Sequence, residues 1–188
     1  MLEGKNVNLR IMEKEDVPLL VEWWNNLEYQ GEDDPIPQKS KTQALREFEN
    51  PSTIQAAMEH QEFMIEKKDG TRIGHIGCGK DILHDWIEIG YDIVPSERRK
   101  GYASEAIQIM IDYLFLSKDI PRILVHTNAR NDAAIRAAEK VGFKKEGIIR
   151  KGGFTNGRFL DTCLLGILRE EWKEPKILTK TTSKSKHK

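Results

Sequence analysis

Between residues 88 and 104 the chain concentrates groups able to do acid–base and anion chemistry. Glu88 and Asp92 both lie in "WIEIGYDIV", and three consecutive cations, Arg98, Arg99 and Lys100, stand directly before Gly101. Alternation along a strand puts Glu88, Gly90 and Asp92 on one face and Ile89, Tyr91 and Ile93 on the other, so the carboxylates face either a cleft or plain water. Pro95 ends that strand, and Gly101-Tyr102-Ala103 opens a helix whose first amides have no partner within the helix. A helix N-terminus carries positive partial charge, so cations crowded there are unfavourable unless an anion lies between them. Small residues at 101 and 103 let phosphate oxygens approach the backbone. Taken alone, the segment is either a polyphosphate site or a solvated turn.

The elements that must hold these residues alternate in type. "NVNLRI" (6–11) reads as a strand, followed by an amphipathic helix over "EKEDVPLLVEWWNNLEYQ" and, after a polar loop at 31–40, a second helix over "KTQALREFEN". "EFMIEKKDGTRIGHIGCGKD" and "WIEIGYDIV" supply three strands, with Asp69-Gly70 placed as a hairpin turn. Next come a helix over 101–117, the strand "RILVHT" (122–127), a helix over 131–141, and two strands around "KKEGIIR" and "RFLDTCLLGIL". The fold class expected is mixed α+β, with about seven strands and about four helices.

With 188 residues, 38% hydrophobic, the chain is long enough for one core and cramped for two. A single domain over 1–175 and a basic, disordered tail over 176–188 are expected, because "KILTKTTSKSKHK" has five lysines and no acid. Lysine plus arginine equal aspartate plus glutamate at 30 each, which gives no support for general attraction to nucleic acid or membranes. No run of residues suits a signal peptide or a membrane helix, and a cytoplasmic protein is expected. Cys78 and Cys163 read as reduced, buried thiols. His75, His84 and His126 lack the spacing of a metal set, so no metal is expected. His126 reads either as a residue close to the cofactor cleft or, as is usual for a strand-end histidine, as structural only. One of Trp23 and Trp24 is expected in the core, the other at a surface or cleft.

Pro95, Arg98, Gly101 and Ala103 stand where the P-x-x-[QR]-x-x-G-x-[GA] signature of the GNAT superfamily of N-acetyltransferases has them. "NDAAIRAAEKVGF" (131–143) resembles that family's N-x-x-[SA]-I-x-x-x-E-K-x-G-F segment. "NGRFLDTCLLGILREEW" and "VNLRIMEKEDVPLLVEW" look like the end and the beginning of its ribosomal-protein N-terminal acetyltransferase branch. The resemblance covers about residues 6–172.

The resemblance implies a GNAT fold, its mostly antiparallel sheet splayed where acetyl-CoA, the co-substrate, binds. The anion is then the CoA pyrophosphate, received by the amides of Arg99, Lys100, Gly101, Tyr102, Ala103 and Ser104 and by the Arg98 side chain. The strand carrying Ile93 and Val94 would hold the pantetheine arm as a neighbouring strand holds another. Asn131 either reaches that arm or simply caps its helix. An amine is mostly protonated at neutral pH, so a base is required, and Glu88 stands where the family frequently has one. The family's usual tyrosine acid is replaced by Ala138, and a serine near the thiol by Ala134. Direct attack in a ternary complex is expected, with water protonating the thiolate. The preferred acceptor is a protein or peptide α-amine. Acidic Glu28, Glu32, Asp33 and Asp34 either favour a cationic acceptor, such as a basic protein N-terminus, a polyamine or an aminoglycoside, or are ordinary surface residues, and the alternatives to the α-amine are a small amine or a non-catalytic acyl-CoA-binding module. A homodimer is left open.

Overall fold

The computed structural model describes residues 1–31, 38–52, 59–81 and 83–178. A two-residue strand β1 (Leu2–Glu3) precedes β2 (Val7–Ile11). Three helices follow, α1 (Val17–Trp24), α2 (Leu27–Gln30) and α3 (Lys41–Glu49). The single helix expected over 13–30 breaks at Asn25-Asn26. The Asn26 side chain accepts hydrogen bonds from the amides of Glu28 at 2.8 Å and Tyr29 at 3.4 Å, and so starts a new helix. The acidic residues Glu32, Asp33 and Asp34 lie outside the described residues.

The strands β3 (Gln61–Lys67), β4 (Arg72–Lys80) and β5 (Ile87–Ile93) form an antiparallel meander. Its first turn is closed by Lys67 and Thr71, with Gly70 at φ +84°, a conformation glycine adopts without strain. Then come α4 (Tyr102–Ser117), β6 (Arg122–Asn128), α5 (Asp132–Lys140) and the long hairpin β7 (Lys144–Thr155) and β8 (Arg158–Leu168). Together they make one 8-stranded sheet in the order β1-β2-β3-β4-β5-β6-β8-β7. Every pairing is antiparallel except β5 with β6. The strand and the helix beyond the expected numbers are β1 and the split-off α2.

One sheet face carries Ile65, Ile76, Ile89, Ile123, Cys163 and Leu165 against Ile107, Met110, Ile111 and Leu114 of α4, forming the main core. Each such fully buried aliphatic contributes roughly 1.5–3 kcal/mol. Both cysteines are free and buried there. The opposite face is covered only in part, where Met64 packs beneath Leu20 and Met12. Trp23 and Trp24 are both partly buried beside this smaller cluster, Trp23 stacked on Tyr29 at 5.6 Å. Among the described residues no helix is long and apolar enough to cross a membrane.

Asp112 sits in α4 with no exposure. Its carboxylate accepts hydrogen bonds from Gln108 (3.1 Å), from the Trp172 indole (2.9 Å) and from the amides of Lys176, Ile177 and Leu178 (2.7–3.1 Å). Lys176, Ile177 and Leu178, the first residues of the lysine-rich end, are therefore docked on α4. The side chains of Ile177 and Leu178 also pack on the core, which a reading of charge alone could not show. Replacing Asp112 with alanine strands these donors and should cost about 3 kcal/mol or more. Urea unfolding checks it, and an unchanged midpoint would contradict this anchoring role.

Candidate functional site

The parallel pairing of β5 with β6 is confined to Ile87↔Ile123 and Glu88↔Leu124. On either side the partners continue, β4 pairing β5 as far as Ile93 and β8 pairing β6 as far as Asn128. The sheet thus forks immediately after Glu88. At the fork, Glu88 Oε1 lies 2.8 Å from Nδ1 of His126, with both side chains partly exposed. The Glu88 hydrogen bond raises the His126 pKa above its ordinary value, against the smaller opposing effect of burial. Sequence reading left the role of His126 open, because only the register of two parallel strands brings it beside Glu88.

Beyond the fork, β5 leads into a 3-10 turn (Pro95–Glu97) and then α4. Arg99 has φ +63° and Gly101 φ +88°, with open space where a Gly101 side chain would stand. The amides of Arg99 to Ser104 have no acceptor among the described residues, and the first bond of the helix runs from Glu105 to the Gly101 carbonyl at 3.1 Å. These successive open donors at the head of a 16-residue helix fit a pyrophosphate.

The Arg98 side chain makes two contacts within the chain. Its Nε donates to the Ile93 carbonyl at 2.9 Å and its Nη2 to the Tyr29 carbonyl, so the guanidinium clamps α2 to the end of β5. Those carbonyls lie past the ends of regular pairing, and the arginine satisfies them. Lys100 pairs with Glu97 at 3.0 Å, while Arg99 forms no ion pair among the described residues. Ile93 is buried, and the Val94 amide donates to Ile73 at 2.8 Å. Tyr102 and Ala103 pack against the core, and Ser104 Oγ lies 3.4 Å from the Ala137 carbonyl.

Asn131 caps α5, its side chain accepting from the Ala134 amide at 3.0 Å. Ala138 is fully buried. The Tyr91 hydroxyl donates to the Ala134 carbonyl at 3.0 Å, and burial raises the phenol's pKa.

On the face carrying Glu88, a second polar array crosses three strands. His60 Nε2 lies 2.7 Å from Glu62 Oε1, His75 Nδ1 3.4 Å from Glu62 Oε2, and His75 Nε2 3.3 Å from Asp92 Oδ2. The His75 contacts are ion pairs rather than aligned hydrogen bonds. Burial opposes charge on His75, but the carboxylates of Asp92 and Glu62 prevail and lift its pKa to about 9. Burial likewise opposes charge on Glu62, yet His60 and His75 hold it at about 2. The array therefore carries a buried imidazolium between two carboxylates.

A groove of about 820 Å³ runs between α1, α2 and the end of β5, lined by Trp23, Tyr29, Glu22 and Val94. A cavity of about 420 Å³ lies between α1, α3 and β3, with Trp24, His60 and Glu62 in its wall. Glu88 lines neither of these two spaces. Among the described residues no His, Cys, Asp and Glu side chains group as a metal site.

A family model described as an acetyltransferase (GNAT) domain matches residues 6–144. An uncharacterized N-acetyltransferase, p20, of Bacillus licheniformis is 29% identical over 175 residues, covering 91% of this chain and 97% of its own length. YdaF of Bacillus subtilis, a putative ribosomal N-acetyltransferase, is 30% identical over 105 residues, 53% of this chain and 57% of that protein. The crystal structure of spermidine N-acetyltransferase from Vibrio cholerae in complex with CoA and spermine has a TM-score of 0.74 and 24% identity, over 89% of this chain and 98% of that one. Likeness at that identity shows the fold.

The His75 array makes stability depend on pH. Its folded pKa of about 9 exceeds the ordinary 6.5, so its stabilisation is complete below 6.5 and is lost as pH rises through 9. The loss should reach roughly 3 kcal/mol, and His75→Leu should abolish that slope. Urea unfolding across this pH window measures it, and parallel slopes for wild type and variant would contradict the buried imidazolium.

Proposed function

The chain belongs to the GNAT family of acetyltransferases, an acetyl-CoA-dependent N-acetyltransferase, and we propose that it acetylates a small cationic amine at the β5–β6 fork. The observation that carries this reading is the pair of carboxylates, Glu88 and Asp92, that share the open sheet face. Each is partly exposed, and among the described residues neither is neutralised by a lysine or arginine. Such a face attracts ammonium groups. Support also comes from the spermidine N-acetyltransferase fold neighbour. A peptide α-amine is the second reading, favoured by the likeness to YdaF over about half the chain.

The reaction has two demands, a neutral nucleophile and a stabilised carbonyl oxygen. The substrate ammonium first loses a proton to the Glu88–His126 pair. With Nδ1–H of His126 donating to Glu88, Nε2 can take that proton and the carboxylate stabilises the resulting imidazolium. The neutral nitrogen attacks the acetyl carbon, the carbon–sulfur bond breaks, and the positively charged nitrogen loses one proton to solvent, leaving a neutral amide that keeps its N–H. Backbone amides of the β5 end would polarise the carbonyl oxygen. CoA departs as a thiolate whose thiol pKa is near ~8.5 by analogy with cysteine, so solvent can protonate it without the tyrosine that Ala138 replaces. The open amides of Arg99 to Ser104 would hold the pyrophosphate, and Asn131 at the head of α5 borders the path of the pantetheine.

Glu88→Gln should lower kcat/KM about a hundredfold while acetyl-CoA still protects the variant against heat. The acidic limb of the pH–rate profile should move to lower pH, because His126 loses the carboxylate that raises its pKa. Free-thiol release against an amine panel reads both effects. A wild-type rate would remove Glu88 from the chemistry, and a limb that disappears would make Glu88 itself the base.

A further inference from the structure

Resting on the small-amine reading, we propose that Asp92, braced by His75, is a second cation site that receives the distal ammonium of a linear diamine or triamine whose reacting amine lies at Glu88. Asp92 follows Glu88 by four residues on the same face of β5, which sets their backbones about 13 Å apart. Between them on that face is Gly90, where nothing lies within 4 Å of the position a side chain would occupy. Gly77 stands opposite Gly90 and Gly79 opposite Glu88. Glu62 covers Gly77, so the open part of the floor between the two carboxylates is the β5 backbone at Gly90, over which a methylene chain can pass without displacing a side chain.

The Asp92 side chain is 38% exposed, and among the described residues its one ion-pair partner is His75, through Oδ2. Its other oxygen, Oδ1, takes no part in that pair. His75 is itself fixed, with Glu62 at its second nitrogen and the Trp24 ring edge-on at 6.1 Å. An aspartate held from behind loses little side-chain freedom when it binds a cation, which reduces the cost of binding. The groups packed around His75 are Asp92 on β5, Glu62 on β3, His60 just before β3, and Trp24 on α1. A purely structural ion triad would need neither the exposed oxygen nor the open space over Gly90.

The test compares diaminooctane, which can span the two carboxylates, with octylamine, which has the same chain and one cation, and with ethylenediamine, which is too short. Each is assayed by free-thiol release with wild type, Asp92→Asn and Asp92→Glu. Wild type should prefer diaminooctane over both others in kcat/KM. Asp92→Asn should reduce the diaminooctane-to-octylamine ratio about fivefold or more, through KM, and Asp92→Glu should restore most of it. Protection of each variant against heat by acetyl-CoA verifies the fold. A ratio unchanged in a folded Asp92→Asn, or octylamine used as well as diaminooctane by wild type, overturns the site and leaves the small-amine reading standing. Wild type that binds acetyl-CoA and acetylates none of the three overturns both.

Discussion

The site depends on one broken pairing. Parallel strands β5 and β6 hold together only at Ile87↔Ile123 and Glu88↔Leu124, while each keeps its antiparallel neighbour on the other side. Backbone groups along a strand must find partners, so a sheet that parts in its middle leaves donors and acceptors for something else to satisfy. A co-substrate with a peptide-like arm can do so as an added strand does. The same parting places Glu88 and His126 at the apex and the open amides of Arg99 to Ser104 at the mouth.

Charge is distributed differently on the two sides of the mouth. On the anion side the donors are backbone amides. The cations beside them are largely engaged elsewhere, Arg98 with two carbonyls and Lys100 with Glu97. On the sheet face opposite the main core, Glu88 and Asp92 are paired, among the described residues, only with histidines. An imidazole supports a carboxylate from one direction and leaves its outer edge to a substrate, whereas a lysine or arginine at the same place would compete with an incoming ammonium. His126 and His75 thus keep Glu88 and Asp92 oriented and still available.

The parts of this arrangement governed by local chemistry were legible in the sequence. The strand–turn–helix from Glu88 to Ser104 follows from alternation, Pro95 and Gly101, and the hairpin at Asp69-Gly70 follows from turn preference. What the sequence hid lies in register and long-range partnership. Nothing local indicates that His126 meets Glu88 or that His60, Glu62, His75 and Asp92 align, since each pair belongs to different strands. Arg98 matched a phosphate-binding motif, yet its partners are the carbonyls of Ile93 and Tyr29, the latter distant in sequence. The contact between Asp112 and Leu178 was hidden for the same reason, because it joins residues far apart in sequence.

Amide hydrogen exchange with and without acetyl-CoA tests the forked sheet most directly. Bound co-substrate should slow exchange at the end of β5, in Gly90 to Ile93, and at Arg99 to Ser104, while β2 and β3 change little. Unchanged exchange along β5, with protection confined to other elements, would contradict the account.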